Sequence, residues 1–280
     1  MESLIAPTLH YKDKDQVWTI YPIGDIHLGA SNTNEEKLQE DVERVASDPY
    51  SVWIGLGDYL DLILPKDLKR FHAKTLAEWI NFDDLDNLVY HQVEYAAQLL
   101  APIADKCLGL ISGNHESSII KYHSVDPVYV LAKELKYISG KTIPCLGKCA
   151  FIRQKFKHKD DKSGKKLNRL DISLHHGWFA GRKPGGKANN LLAAFEKFDC
   201  DLFICGHGHE KLVVNNTCLH VDEDGHIKDK HRFAMMTGSY LRTFTEGKSS
   251  YAEDAGYSPS TLGPVEIKYT PKTGLIQVIQ

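Results

Sequence analysis

The sequence predicts an α/β fold built on two β-sheets, and three observations carry that expectation. Short apolar runs in the first half alternate with segments of helical apolar spacing, giving the order β-loop-α-β-loop-α-β-loop. The second half is instead a succession of apolar, β-rich runs separated by turn signals. Groups of Asp, His, Asn and Gly also recur directly after apolar runs. They are Asp25-Ile26-His27, Gly57-Asp58, Gly113-Asn114-His115-Glu116, His175-His176-Gly177 and Gly206-His207-Gly208-His209. Loops leaving the carboxyl ends of strands are where open α/β sheets carry their chemistry, and strands of one sheet can bring such groups to one edge.

Val17 to Ile23 is rich in β-formers and ends at Gly24-Asp25, as a strand meeting a functional loop does. Leu38, Val42, Val45 and Ala46 then repeat at helical spacing in a charged segment and predict an amphipathic helix. Ser51 to Leu56 reads as a second buried strand. A longer helical region follows, with Leu88, Val89, Val93, Ala96, Ala97, Leu100 and Ile103 on one broad face. Cys107 to Ile111 is a third strand, entering the loop Gly113-Asn114-His115-Glu116, and Asp126-Pro127 starts another helix. Beyond it, Phe151 to Phe156 and Leu167 to Leu174 predict strands around a polar hairpin tip. Further strands are expected at Asp201 to Cys205, Phe233 to Thr237, Val265 to Tyr269 and Leu275 to Ile279, the last pair joined by a Thr270-Pro271-Lys272-Thr273-Gly274 turn. With no linker-like or low-complexity stretch, one domain over residues 1–280 is expected.

Bulk properties narrow the function classes. A net charge of -3 supplies no global field for nucleic acid or anionic membrane, although a local basic patch is compatible with it. No apolar stretch approaches the roughly 20 residues that span a bilayer. Met1 to Asp15 lacks the basic start and apolar centre of a signal peptide, so a cytoplasmic location is expected. Cys107, Cys200 and Cys205 fall in or beside apolar runs and read as small core residues. Cys145 and Cys149 have no second pair at zinc-finger spacing.

The ligand-type groups matter more. Taken singly, a His is commonly a satisfied core residue and an Asp after a strand a turn former. Five such groups at strand ends, each flanked by glycine, instead suit the crowding around two divalent cations, a recurrent device for phosphate-ester hydrolysis. In that order, Asp-x-His, Gly-Asp, Gly-Asn-His-Glu, a later His and Gly-His-x-His, the sequence resembles the calcineurin-like metallophosphoesterase superfamily over most of its length. The resemblance implies a four-layer α-β-β-α sandwich: two β-sheets flanked by helices. It also implies that Asp25, His27 and His209 bind one metal, that Asn114, His176 and His207 bind the other, and that Asp58 bridges them. His115 would face the substrate, as general acid or charge stabiliser.

The donor chemistry points the same way. Carboxylates with imidazoles suit Mn²⁺ first, with Fe²⁺, Zn²⁺ or Ni²⁺ as alternatives. A bridged pair would stand about 3.5–4 Å apart and activate water as the nucleophile. His175 and His176 are adjacent, and strand alternation aims only one of them into the site. The glycine that commonly follows the family's ligand favours His176. Asp61 and Glu116 are candidates for orienting the ligands, and Glu116 reads equally as a polar loop residue.

Three stretches bear on substrate. Gly181-Arg182-Lys183-Pro184-Gly185-Gly186-Lys187 reads as a glycine-rich loop near the site, with Arg182, Lys183 and Lys187 to hold phosphate oxygens. Hairpin 153–169, with Arg153, Lys155, Lys157, Lys159, Lys162, Lys165, Lys166 and Arg169, could lie along DNA or RNA, or could be a solvated ribbon. Arg242 with Tyr240 could grip a phosphate and stack on a base, or could pack an irregular segment onto the sheet. The wording Asp25-Ile26-His27-Leu28-Gly29 resembles the DNA-repair exonuclease branch of the superfamily. The expected activity is therefore phosphodiesterase or nuclease. A phosphomonoesterase acting on nucleotides or phosphoproteins is the alternative, followed by a catalytically inactive binding scaffold of the kind some relatives form by losing ligands. No membrane partner is expected.

Overall fold

A computed structural model describes every residue except 69, 162–166, 179–182, 222–223, 246–255 and 257. In chain order its elements are β1 (Glu2–Ile5), β2 (Leu9–Tyr11), β3 (Trp18–Ile23), α1 (Glu35–Ser47), β4 (Ser51–Gly55), α2 (Leu88–Leu100), β5 (Cys107–Leu110), α3 (Asn114–His123) and α4 (Pro127–Ser139). There follow β6 (Cys149–His158), β7 (Leu167–His175), α5 (Pro184–Phe195), β8 (Leu202–Cys205), β9 (Leu212–Val221), β10 (Ile227–Met236), β11 (Glu266–Thr270) and β12 (Leu275–Ile279).

They form two mixed sheets. One has five strands in the order β12-β11-β3-β4-β5, and the other seven, β1-β6-β7-β8-β10-β9 with β2 also on β6. Strand alternation decides what each face buries. Ile20, Val52 and Ile54 of the smaller sheet meet Ile152, Ile172, Leu202, Ile204 and Met235 of the larger in the core between the sheets. The opposite phase, Tyr21, Ile23 and Trp53, packs under α1, α2 and α4 through Leu38, Val42, Val93, Leu100, Leu131 and Leu135. On the far side of the larger sheet, Phe203, Cys205, Ala234 and Met236 meet Leu191, Ala194 and Phe195 of α5. The result is the α-β-β-α layering expected from the sequence. Because both phases of these strands are buried, they read as continuous apolar runs.

Strand direction places the functional groups. β3, β4 and β5 run parallel, and so do β7 and β8. Their carboxyl ends carry the five ligand-bearing groups. The groups come from both sheets rather than one: three follow strands of the smaller sheet and two follow strands of the larger. β6 runs antiparallel to β7, and β9 antiparallel to β10, so β6 and β9 end, and β7 and β10 begin, at the opposite end.

Some elements differ from expectation. The Gly113-Asn114-His115-Glu116 group opens helix α3 instead of lying in a loop. Gly185 and Gly186, expected in a phosphate-holding loop, lie in the first turn of α5, which Pro184 starts with its preset φ. β1, β2 and β9 were not expected, and β10 begins six residues before the Phe233 start read from sequence, at Ile227. Among the described residues no helix is long and apolar enough to cross a membrane.

Candidate metal centre

The loops after β3 and β4 are zipped together before any side chain is considered. The N–H of Asp25 donates to Gly57 O, those of Ile26 and His27 to Asp58 O, and that of Leu28 to Tyr59 O, at 2.8–3.0 Å. This register forces unusual backbone. Asp25, His27, Asp58, His207 and His209 all have positive φ, between 49° and 65°, the left-handed region that costs a non-glycine residue about 1–2 kcal/mol. Such strain persists where surrounding structure over-determines it, which is characteristic of functional sites. Two glycines make the approach of the loops feasible. A Cβ on Gly206 would stand 2.3 Å from Asp25 Oδ2, and one on Gly113 would stand 2.0 Å from Asp58 Oδ1.

The side chains converge as three overlapping groups of donor atoms: Asp25 with His27 and His209, His27 with Asp58 and His115, and Asp58 with His176 and His207. His27 Nε2 lies 3.3 Å from His209 Nε2, and Asp25 Oδ1 lies 3.4 Å from the same His209 nitrogen. Across the cluster, His176 Nε2 is 3.0 Å from Asn114 Oδ1 and 3.1 Å from Asp58 Oδ2. Asp58 Oδ2 is also 3.9 Å from His27 Nε2, which puts this carboxylate between the outer groups. His176 Nδ1 is 2.8 Å from Leu56 O, fixing the ring with Nε2 inward. His175 turns elsewhere: its Nδ1 accepts from the N–H of Gly177, and its ring meets Trp178 edge-on.

This donor set fits cations. Imidazole nitrogens 3.3 Å apart on His27 and His209 face each other beside a carboxylate, an arrangement a positive ion reconciles. His27 Nδ1 is buried without a hydrogen bond, with Asp61 Oδ1 as an acceptor 3.8 Å away.

Glu116 supports the centre from beneath. It is fully buried, and its oxygens accept from the N–H groups of Asp58 (2.9 Å), Tyr59 (2.8 Å), Leu60 (3.3 Å) and Gly113 (2.9 Å). One carboxylate thus fixes the backbone of the Asp58 loop against the start of α3. Asp58 Oδ1 in turn accepts from the N–H of His115 (2.9 Å). The His115 ring is held by the carbonyl of Asp61. Ser239 Oγ and the N–H of Tyr240 both donate to Asp25 O, and Tyr240 OH donates to buried Asp41 (3.0 Å). Sequence reasoning had not singled out Ser239 or Asp41. Asp41 lies on the apolar face of α1, where a carboxylate signals a buried partner.

Electrostatics follow from burial and crowding. Burial opposes the Asp58 carboxylate, but His176, His115 and His27 outweigh it and hold its pKa far below the usual value. Burial would likewise depress His176, and Asp58 reverses this, pushing its pKa up to about 10. His27 goes the other way, down to about 3, through burial and the charge of His115. Burial pushes Asp61 up to about 6 and, with Asp58 nearby, Glu116 up to about 7.

A sequence profile described as calcineurin-like phosphoesterase matches residues 19–211, more than half of the chain and all five groups of the centre. The chain belongs to that family. Membership indicates phosphoester hydrolysis, in a family that is metal-dependent. No curated protein matches the sequence. Among solved structures, a predicted phosphoesterase from Streptococcus pneumoniae is 10% identical, covering 94% of this chain and 98% of its own, at a TM-score of 0.33. A Vps29 from Entamoeba histolytica complexed with zinc is 13% identical over 93% of this chain and 96% of its own, at 0.35. An NAD nucleotidase from Haemophilus influenzae is 11% identical over 95% of this chain but 49% of its own, at 0.40.

The other residues singled out for this phosphoesterase are scattered. Arg182 lies outside the described residues. Lys183 is exposed at the start of α5. Lys187 is buried, with its ammonium donating to Gly208 O (2.9 Å) and pairing with Glu210 (3.1 Å), so it clamps α5 to the His207–His209 loop. Arg242 is exposed, its backbone tied to Asn32. Tyr240 is buried on Asp41 and packs the segment rather than offering a stacking face. Of the basic hairpin 153–169, Lys162, Lys165 and Lys166 lie outside the described residues, and its two strands lead away from the centre. β7 alone runs nine residues, roughly 30 Å, from Leu167 at the far end to His175 at the centre. Its exposed cations are partly neutralised, with Arg153 bound bidentately to Asp171 at 2.7 and 2.9 Å.

Proposed function

We propose that this phosphoesterase hydrolyses phosphodiesters with two divalent cations, manganese foremost, held at the strand-end cluster. Asp25, His27 and His209 would hold one ion, Asn114, His176 and His207 the other, and Asp58 would contact both. The observation that carries this reading is the chain of donor groups that share His27 and Asp58. When bound, the ions supply positive charge that polarises the phosphoryl group and acidifies a water molecule.

The protein's own groups do the rest. Glu116 and the paired loops hold the donors in a preformed arrangement, which removes reorganisation from the reaction. His115 sits at the edge of the cluster, partly open to solvent, its ring oriented by Asp61 O. Burial disfavours its charged form, but Asp58 and Asp61 outweigh this and raise its pKa. A cationic ring there can stabilise the phosphoryl oxygens or protonate the leaving oxygen as a general acid. Lys183 and Arg242 are candidate phosphate contacts; Lys187 serves the His207–His209 loop instead.

Hydrolysis of bis(p-nitrophenyl) phosphate with Mn²⁺ tests the reading, with p-nitrophenyl phosphate as the monoester comparison. Wild type should turn over the diester preferentially, lose activity with chelator, and lose it in Asp58→Ala. Preference for the monoester would favour the phosphomonoesterase alternative. Equal inertness of wild type and variant across several metals would favour a binding scaffold.

A further inference from the structure

Beside the centre, from Asn114 outward, lies a groove of about 490 Å³ also lined by Ser117, Ser118, Ile120, Lys121, Tyr122 and Lys148. We propose that it is a nucleotide subsite, taking a base on Tyr122 and the neighbouring phosphate between Lys121 and Lys148. The inference deepens the hydrolase reading by naming the substrate class, and rests on that reading for its catalytic meaning.

Position is the first argument. Asn114 lies at the inner end of the groove, and its Oδ1 is in the donor cluster. Lys148 stands at the same end of the fold, because its carbonyl accepts the N–H of His176 (3.5 Å). Along α3, positions 114, 117, 118 and 121 follow the i, i+3, i+4, i+7 spacing of one helix face. Lys121 is therefore about 10 Å along the axis from Asn114, suited to a group beside the scissile phosphate rather than the phosphate itself.

Chemistry is the second. Among the described residues two exposed cations line the groove and no carboxylate does, so an anion is favoured. Tyr122 is 70% exposed on a short helix, so its ring is open to a stacking ligand. Lys121 Nζ lies 4.9 Å from the centre of that ring, pairing a stacking platform with a charge. Ser117 and Ser118 hydroxyls donate to Gly113 O (2.6 Å) and Asn114 O (2.9 Å), which leaves both oxygens as acceptors for base N–H groups. A volume in the range of small-ligand sites matches one nucleotide.

Binding to chelator-treated protein isolates the groove from catalysis. Fluorescence anisotropy with a labelled short oligothymidylate, and displacement by AMP, should show salt-sensitive binding to wild type. Tyr122→Ala should weaken it about 10-fold or more, with Tyr122→Phe retaining it. Lys121→Ala with Lys148→Ala should weaken it further and make the logarithmic salt dependence shallower, by about 0.7 per lost phosphate contact. Displacement by AMP at concentrations comparable to the oligonucleotide would identify free nucleotides as the source, and binding of the oligonucleotide alone would identify a strand. Wild-type-like binding by Tyr122→Ala or by the double lysine variant, or no binding of either probe to wild type, would overturn the proposal. Binding without metal-dependent diester hydrolysis would leave the subsite standing and sink the hydrolase reading.

Discussion

Both ends of the β-sandwich carry clustered polar groups, yet they are built on opposite plans. At the carboxyl ends of β3, β4, β5, β7 and β8, charged and imidazole groups are buried, mutually perturbed and mounted on left-handed backbone. At the other end, where β6 ends and β7 begins, the described strand cations stand on the solvent phase, and Arg153 and Arg169 pair with Asp171. Polar density alone does not distinguish a site from a surface. Burial without relaxation does: the donor cluster keeps its charges because neighbouring loops hold them, whereas the hairpin keeps its charges because water does.

The largest effect that can break this contrast comes from Asp58. Asp58→Asn should lower diester turnover by more than about 10³-fold, beyond the 10–100-fold typical of groups that only orient a ligand. A near-normal kcat would mean the buried cluster is structural. Glu116→Gln sharpens the point one step out. The amide cannot accept all the N–H groups the carboxylate serves, so manganese affinity measured by titration calorimetry should fall about 10–100-fold. Glu116 acting only as a cap of α3 would leave affinity intact while lowering the melting temperature.

Stability against pH offers a smaller, signed test on metal-free protein. His176 has a raised pKa, so its pairing with Asp58 contributes fully below the unfolded value near 6.5 and is lost as pH rises towards about 10. His27 has a depressed pKa, so its contribution is present above 6.5 and lost as pH falls towards about 3. The melting temperature should therefore peak near neutrality and decline on both sides, and manganese should flatten the alkaline limb. A melting temperature still rising at pH 9 would contradict the His176–Asp58 pairing. The smallest expected effect is at the far end: replacing Lys155, Lys157 and Arg169 together with alanine should change small-diester turnover by less than about twofold, because they stand beyond the roughly 10 Å screening length from the donor cluster.

What the sequence made legible follows the same contrast. The donor groups, α1, α2, α4 and the central strands were readable because burial on a regular face imposes a period on apolar residues. Helix α3 was not, because its buried residues are Glu116 and Ile119, too few for an apolar stripe. In α5, Gly185 and Gly186 masked a helix whose signal lay in Pro184 and in Leu191, Ala194 and Phe195 behind it. β1 and β2 are short edge pieces completed by β6, and β9 alternates into solvent, so none carries a continuous apolar run. Glu116 was visible as a polar residue, but the N–H donors at 58–60 that it serves lie across the fold. The hairpin cations were equally visible, and only strand direction shows that they belong to the other end.

Anomalous diffraction from crystals grown with Mn²⁺ tests the central claim most directly. Two peaks should flank the Asp58 carboxylate, one beside Asp25, His27 and His209 and one beside Asn114, His176 and His207. A cluster without anomalous density at saturating manganese, or ions bound only elsewhere on the molecule, would contradict it.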